Sequence, residues 1–448
     1  VVADTFWRAK TALDALPVVW DEGPNAKVSS DAIATMLREG LSADTAYVGN
    51  RAGDAKAVLA KASRIIEADY SYPYQNHAAM ETLSATVRWT PERCEVWGPT
   101  QVADAALDEL AKAAGLSATA CEIHTMRIGG SFGRRLYTDY VRIATLIAKQ
   151  VPNVPVKMMW TREEDMAQGQ YHPITQCRLR ASLDEAGNVE ALHMRISGQS
   201  IFAYHAPSRL TPEAGDPIVY QGLVAGGAEM AIGYSFPHLL IDHAMRNPHV
   251  RPGAWRGVNL NQNAVYLECF IDELAHAAGV DPLAFRRKLM AKHPKHLAVL
   301  EAAAKGIGWE TKPPAGVHRG IAQVMGFGAY VAAAAEVSVI DGRLKMHRIV
   351  AATDPGHVVN PQQVEAQIAG SFVFGLSAML YGECTVKDGR IEQQNFDTYN
   401  VLRLDEMPVV EVIAIPSGGF WGGVGEPTIA VAAPTVLNAI FAATGKRV

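Results

Sequence analysis

The chain has 448 residues, 49% of them hydrophobic and 19% charged, which is material for two or three globular cores and excludes a disordered or fibrous chain. Lys and Arg number 41 against 46 Asp and Glu, a formal net charge of −5, and no basic run is present to neutralise a row of phosphates, which argues against a nucleic-acid partner. The longest small-apolar stretch, 428–443, is interrupted by Pro434 and Asn438 and falls short of the roughly 20 residues that a bilayer span needs, so no direct membrane span is expected. Cys94, Cys121, Cys177, Cys269 and Cys384 show no C-x-x-C spacing. That pattern argues against structural zinc or iron–sulfur ligation and predicts buried or free thiols.

In chain order, the opening Val1-Val2-Ala3-Asp4 has no Met, basic or apolar leader pattern and reads as a mature or internal start. Ser30 predicts the cap of a helix running through Leu37. Val102, Ala106, Leu110 and Ala114 recur every four residues before Gly115, predicting a helix from about residue 101 with Gln101 in its first turn. Tyr137, Val141, Ala144 and Ala148 mark a second helix, read as starting directly behind the cluster Gly129-Gly130-Ser131-Phe132-Gly133. Short polar turns at Ala186-Gly187-Asn188, Asp341-Gly342 and Asp388-Gly389 predict three antiparallel strand pairs. The stretch 205–227, rich in Pro and Gly, reads as a long connection or a domain boundary placed near residue 215. Further helices are predicted at 263–279, 282–290, 361–380 and about 428–444, the last again behind a glycine-rich loop. With no internal repeat, the pattern is that of an α+β protein with antiparallel hairpins and with helices that follow glycine-rich loops.

The densest chemical signal is 417–427, where Gly418, Gly419, Gly422, Gly423 and Gly425 precede a helix and one carboxylate, Glu426, stands at the mouth. Such a loop lets backbone approach a ligand closely and aims free N–H groups at it. Thr428 stands where a G-x-G-x-x-G fingerprint needs its last glycine, and no Lys-Ser/Thr pair makes a P-loop, so nicotinamide and ATP readings lose ground. The plain alternative is a flexible turn whose Glu426 interacts with a helix N-terminus. The cluster Gly129 to Gly133 has the same build and is followed by Arg134 and Arg135. Alone it is a tight turn with a solvated Arg pair, but two such loops in one chain point to a bulky anionic or heteroaromatic cofactor.

Six segments recur in a fixed order: Trp97-Gly98-Pro99-Thr100-Gln101, GGSFGRR from Gly129, VKMMWTREEDM over 156–166, Trp255-Arg256-Gly257, VVNPQQVEAQIAG over 358–370, and GGVGEP over 422–427. Through them the chain resembles, over essentially its whole length, the molybdenum-binding large subunit of the xanthine oxidase and aldehyde oxidase family of molybdenum hydroxylases, most of all its isoquinoline 1-oxidoreductase β-subunit type. The resemblance implies mixed α/β molybdopterin-binding domains: 1–30 as the remnant of a small N-terminal α/β domain, 31–215 as the first molybdopterin-binding domain and 216–448 as the second. It implies molybdenum carried by molybdopterin, as molybdopterin cytosine dinucleotide in bacterial members, with the metal held by the pterin dithiolene and no protein ligand.

Residue by residue, Glu426 matches the family's catalytic base, which takes the proton from the attacking oxygen. Gln101 matches a glutamine whose amide hydrogen-bonds an oxygen ligand of the metal, and Arg256 an arginine at the metal pocket that can stabilise developing negative charge. Phe132 matches an aromatic beside the metal. Gly129, Gly130 and Gly133, with Gly423, Val424 and Gly425, match backbone that lets the cofactor approach. Gln367, with Asn360 upstream, matches a pterin-contacting glutamine. The chain departs from the family where Trp255 replaces a small residue, where Thr82 replaces a proline, and where Ser131 stands in place of the commoner glycine. His77 and Glu81 are read as mainly structural.

The implied reaction inserts a water-derived oxygen into an electron-poor C–H of an N-heteroaromatic ring or into an aldehyde, and Trp421, Phe420 and Phe132 suggest a flat aromatic slot. Electrons would pass to [2Fe–2S] clusters on a small partner subunit and from there to a cytochrome c or flavin subunit, because this chain has no cluster-binding cysteine pattern. Exported relatives imply the periplasm, with the cytoplasm as the alternative. The alternative function is a non-catalytic or truncated scaffold subunit. The missing N-terminal section favours that alternative, and the retention of Glu426 and Gln101 opposes it.

Overall fold

Turn chemistry sets the strand pairing. In the computed structural model, which describes residues 1–227 and 229–448, Asp341-Gly342 and Asp388-Gly389 hold φ of 50° and 76°, and of 50° and 73°. Two consecutive positive φ values give the two-residue hairpin turn whose twist matches that of paired strands. The first turn joins Ala329–Ile340 to Arg343–Asp354 and the second joins Val386–Lys387 to Arg390–Ile391. The third expected hairpin, at 186–188, joins Thr175–Leu183 to Val189–Gly198.

Three larger sheets organise the molecule. A five-stranded sheet runs in the order Tyr47–Ala52, His238–Met245, Val189–Gly198, Thr175–Leu183, Ile65–Tyr72. A four-stranded sheet places His318–Gly326 beside the 329–354 hairpin and closes with Val409–Ala414, which lies parallel to Arg343–Asp354. The third sheet orders Cys121–Thr125, Cys94–Gly98, Ser84–Trp89, Val156–Met159, with its first two strands parallel. The Pro- and Gly-rich stretch around residue 215 lies between Val189–Gly198 and His238–Met245, which are neighbours in one sheet, so it is a connection within that sheet's unit.

Strand Ala329–Ile340 shows why the core divides in two. Ala332 and Ala334 face one hydrophobic cluster, with the helices Leu260–Ala278 and Pro294–Ile307. Val331, Ala333, Ala335 and Val337 face the other, with Pro361–Leu380 and Ile429–Thr444. This is the period-2 alternation of a strand covered on both faces. The third sheet has its own core against Ala103–Ala114 and Asp139–Ala148, through Leu110, Ala114, Tyr140, Val141 and Ala144.

The helices predicted at 263–279, 282–290, 361–380 and 428–444 are present as Leu260–Ala278, Pro282–Leu289, Pro361–Leu380 and Ile429–Thr444. Three starts differ from expectation. Ser29, not Ser30, caps the helix Ser30–Leu41, its hydroxyl accepting from Ala32 N–H. The helix after Gln101 begins at Ala103, so Gln101 sits in the loop ahead of it. Behind the first glycine cluster a 3-10 turn, Arg134–Leu136, intervenes before Asp139–Ala148 begins, because Arg134 and Arg135 are buried and bonded into the loop. Among the described residues all five cysteines are free, four of them buried, and no helix is long and apolar enough to cross a membrane.

His77, His243 and His296 are buried, and burial holds their imidazoles well below the ordinary 6.5, at about 3, 4 and 4. The unfolded chain takes these protons near pH 6.5 and the folded chain only near 3 to 4, so this contribution to stability is present above pH 6.5 and is lost as pH falls toward 4. The urea midpoint at pH 5 is expected to lie below that at pH 7.5, with the three imidazoles still neutral by 15N NMR at pH 5 while the chain is folded. Protonation of all three in the folded chain at pH 5 would contradict it.

Candidate active site

Both glycine loops leave the carboxyl ends of parallel strand pairs. In the third sheet Gly98 lies opposite Thr125, so the segments that follow, carrying Gln101 and Gly129, exit side by side. In the four-stranded sheet Thr353 lies opposite Ala414, which places 355–357 against the loop 417–425. Gly418 N–H donates to Gly356 O (2.7 Å), Gly422 N–H to Pro355 O (2.9 Å) and Gly423 N–H to Phe327 O (2.7 Å). The crevice beyond the carboxyl ends of parallel strands is where α/β proteins commonly bind ligands.

Glu81 braces the first loop. Its Oε2 accepts from Gly129 N–H (2.7 Å) and from Arg135 Nη2 (3.1 Å), and its own N–H donates to Gly129 O (3.0 Å). Arg135 is only 1% exposed and donates further to the carbonyls of Glu81 and Thr82. At the tip, Phe132 takes a left-handed φ of 55°, a conformation that costs a non-glycine residue about 1–2 kcal/mol. Stacking holds it there: its ring lies 4.1 Å from Phe374, which lies 4.8 Å from Trp255. Gly133 follows with φ of 109°, and a Cβ there would stand 1.6 Å from Ala254 O, so only glycine fits.

Arg256 joins this loop to the second. Its N–H donates to Phe132 O (2.8 Å), its Nε to Gly425 O (2.6 Å), and its Nη2 to Gln367 O (3.1 Å) and Gln367 Oε1 (3.3 Å). The next residue supplies the link to Glu426: Gly257 N–H donates to its Oε1 at 2.9 Å. Burial lifts the Glu426 carboxyl above its ordinary 4.5, opposed by the Gly257 N–H and by the charge of Arg256. Burial likewise lowers Arg256 from its ordinary value, opposed by Glu426. Gln101 approaches from the other side, its Oε1 accepting from the Ser131 hydroxyl and from Gly133 N–H (3.2 Å).

Hydrogen bonds and loop continuity thus bring together Gln101, Gly129, Gly130, Phe132, Gly133, Arg256, Gln367, Gly423, Val424, Gly425 and Glu426. Asn360 is apart: its side chain accepts from Gln363 N–H as the cap of Pro361–Leu380. Phe420 and Trp421 are exposed side chains, and Trp421 stacks on His357 at 4.2 Å, so this pair belongs to the surface of the second loop and not to a core. Several contributors escaped the sequence reading. Glu81, read as mainly structural, is structural as the brace of the loop, but its pairing with Arg135 went unseen, although a buried arginine needs an acceptor. Phe374 sits seven residues after Gln367, two turns along the same helix, which is a helical spacing with no chemical mark of its own. Trp255 is buried, with Nε1 donating to Asn76 O at 3.0 Å, and this anchors the turn that aims Arg256.

A family model described as a molybdopterin cofactor-binding domain matches residues 42–290, and a second of the same description matches 259–408. The chain belongs to the molybdopterin-binding subunits of the xanthine oxidase family. Among curated relatives it is 26% identical to the membrane-bound aldehyde dehydrogenase [pyrroloquinoline-quinone] of Gluconacetobacter polyoxogenes, over all of this chain and 61% of that one. It is also 26% identical to isoquinoline 1-oxidoreductase subunit beta of Brevundimonas diminuta, over all of this chain and 58% of that one. The chain thus spans about three fifths of the length of these two relatives. The quinone in the first name belongs to that protein, whereas both family models matched here are molybdopterin ones. Among solved structures, the aldehyde oxidoreductase from Desulfovibrio gigas superposes with a TM-score of 0.76 at 16% identity, covering 100% of this chain and 67% of that chain, which is a likeness of fold.

The residues of this molybdopterin-binding chain fit the group. Among the described residues, the backbone N–H groups of Gly130, Ser131 and Phe132 and of Val424, Gly425 and Glu426 make no hydrogen bond within the protein. A Cβ at Gly425 would meet only Gln367 Oε1, at 3.7 Å. Two rows of free donors, the second with room at Gly425, suit the acceptor-rich rim of a pterin and its phosphates. Replacing Gly133 by Ala is expected to destabilise the chain by about 3 kcal/mol or more, from φ strain and the collision with Ala254 O together. The thermal midpoint measures this, and a midpoint within a degree of the parent would show that the loop can move aside.

Proposed function

We propose that this chain carries the molybdenum cofactor of a hydroxylase that inserts a water-derived oxygen into an electron-poor C–H of an N-heteroaromatic ring or into an aldehyde. Glu426 carries the reading: a partly buried carboxylate at the end of a glycine loop, with Oε1 held by Gly257 N–H and Oε2 without a hydrogen-bond partner among the described residues. When bound, molybdenum supplies the two-electron acceptor and activates the water-derived nucleophile. Glu426 takes the proton of the attacking oxygen on its free Oε2, and the pKa raised by burial makes it the stronger base. Gly257 N–H fixes the carboxylate in one orientation. Arg256 orders both loops around the acceptor and adds positive potential where negative charge develops. Gly130 to Phe132 and Val424 to Glu426 offer backbone donors to the pterin, Gln367 lies beside them, and Phe132 forms an aromatic wall.

The finer parts of the proposal are molybdopterin cytosine dinucleotide as the form of the cofactor, and a small partner subunit with two [2Fe–2S] clusters that takes the electrons onward to a cytochrome c or flavin subunit. The periplasm is the proposed location. A heteroaromatic substrate is favoured over an aldehyde, supported by the exposed Phe420 and by Trp421 stacked on His357 at the second loop. The two molybdopterin-binding units are proposed to follow the family matches, 42–290 and 259–408, and not to divide at residue 215, which lies within the unit of the five-stranded sheet.

Elemental analysis of the native assembly is expected to find near one molybdenum and four irons per copy of this chain. With isoquinoline or benzaldehyde and a dye acceptor, Glu426→Gln should keep its molybdenum and lose about 10²–10⁴ of turnover. Because the base works only when ionised and burial raises its pKa, wild-type kcat should fall with decreasing pH through a value above the ordinary 4.5. An assembly without molybdenum, or full turnover in E426Q, would overturn the reading.

A further inference from the structure

The hydrogen bonds behind Gln101 have a fixed direction. Arg135 N–H can only donate, and it points at Ser131 Oγ at 3.0 Å, so the hydroxyl's own proton goes to its other partner, Gln101 Oε1. Gly133 N–H, also a donor only, meets the same Oε1 at 3.2 Å. Two backbone donors therefore decide which end of the carboxamide is oxygen. Both acceptor positions of Oε1 are taken, and the NH2 end points away from the loop with no protein partner among the described residues. An amide whose oxygen accepts two hydrogen bonds is polarised and donates more strongly through its nitrogen. Ser131 is 7% exposed while Gln101 is open to solvent, so the relay is shielded at its root and presents its donor outward.

Resting on the function proposed above, we infer that Ser131 is a positioning residue for Gln101: its hydroxyl holds the carboxamide with the NH2 turned toward the cofactor and strengthens that NH2 as a donor to an acceptor atom there. A residue without the hydroxyl would leave Gly133 N–H as the sole tie and free the carboxamide to turn about its last bond. Ser131 does not touch the cofactor in this scheme. It acts through Gln101, and the serine of the first glycine loop thereby gains a function.

The test uses the native assembly purified with wild-type chain, Ser131→Ala, Ser131→Gly and Ser131→Thr. Molybdenum per chain is measured first, then the Mo(V) electron paramagnetic resonance spectrum after partial reduction with dithionite, then kcat and KM with isoquinoline or benzaldehyde, whichever the wild type oxidises. S131A and S131G are expected to keep wild-type molybdenum, to shift the Mo(V) g values, and to lose kcat about tenfold with KM within about twofold, the signature of a contact that matters in the transition state. S131T, which keeps the hydroxyl, is expected to return the wild-type spectrum. If S131A and S131G load molybdenum and give the wild-type spectrum, this inference falls while the functional reading stands. Loss of the metal from both with S131T loaded also overturns it, by making the hydroxyl a structural group of the loop. Absence of molybdenum from the wild type overturns the functional reading, and this inference with it.

Discussion

Everything at the site depends on how Arg256 uses its donors. A guanidinium drawn partly out of water needs acceptors, and the carboxylate whose charge acts on it is Glu426. Arg256 instead bonds the carbonyls of Gly425 and Gln367 and the amide oxygen of Gln367, while Glu426 is held by a neutral N–H from Gly257. The difference bears on the chemistry proposed for Glu426. A direct ion pair would pull the Glu426 carboxyl below its ordinary pKa and leave a weak base, whereas carbonyl partners satisfy the arginine and let burial dominate at the carboxylate, which is raised. The same bonds connect Phe132 of the first loop to Gly425 of the second, so the spacing between the two loops follows from one side chain and its backbone N–H.

That junction holds still because rigid elements stand behind it. Each loop leaves a parallel strand pair within a sheet, and the alanine-rich strand Ala329–Ile340 lets helices close on both faces of the four-stranded sheet. Gly320 shows how close they come: a Cβ there would lie 2.2 Å from the backbone N of Ala439. Gln367 and Phe374 project from one such helix, so one element sets a polar contact to Arg256 and an aromatic contact to Phe132 together.

Much of this was legible in the sequence, for identifiable reasons. Asp341-Gly342 and Asp388-Gly389 announced their hairpins because only a few residues tolerate two consecutive positive φ values, and Pro361 marked a helix start that the structure keeps. Glycine-rich loops ahead of helices pointed to the two faces of the site. What stayed hidden depends on pairings distant in sequence. Glu81 and Arg135 are 54 residues apart, and Arg256 and Gly425 are 169 apart. Local periodicity cannot report such distances. The 3-10 turn at Arg134–Leu136 was missed for the same reason, since helical spacing in 137–148 says nothing about an arginine that must first reach back to Glu81.

The two loops are built differently, and the difference matches the tasks proposed for them. The first is braced by an arginine with 1% exposure, by a carboxylate and by a stacked phenylalanine in a strained conformation, and strain of this kind persists only where the surroundings over-determine it. It presents a neutral amide whose orientation must not drift. The second is pinned through backbone hydrogen bonds at Gly418, Gly422 and Gly423, and it carries the one group that must change protonation. A proton acceptor needs an open approach to Oε2 and a fixed Oε1, and the single Gly257 N–H on Oε1 provides both. The donor side of the crevice is therefore rigid by side-chain packing and the base side by backbone. Arg256 bonds to the backbone of both loops and couples them while keeping its charge off the base as a direct partner.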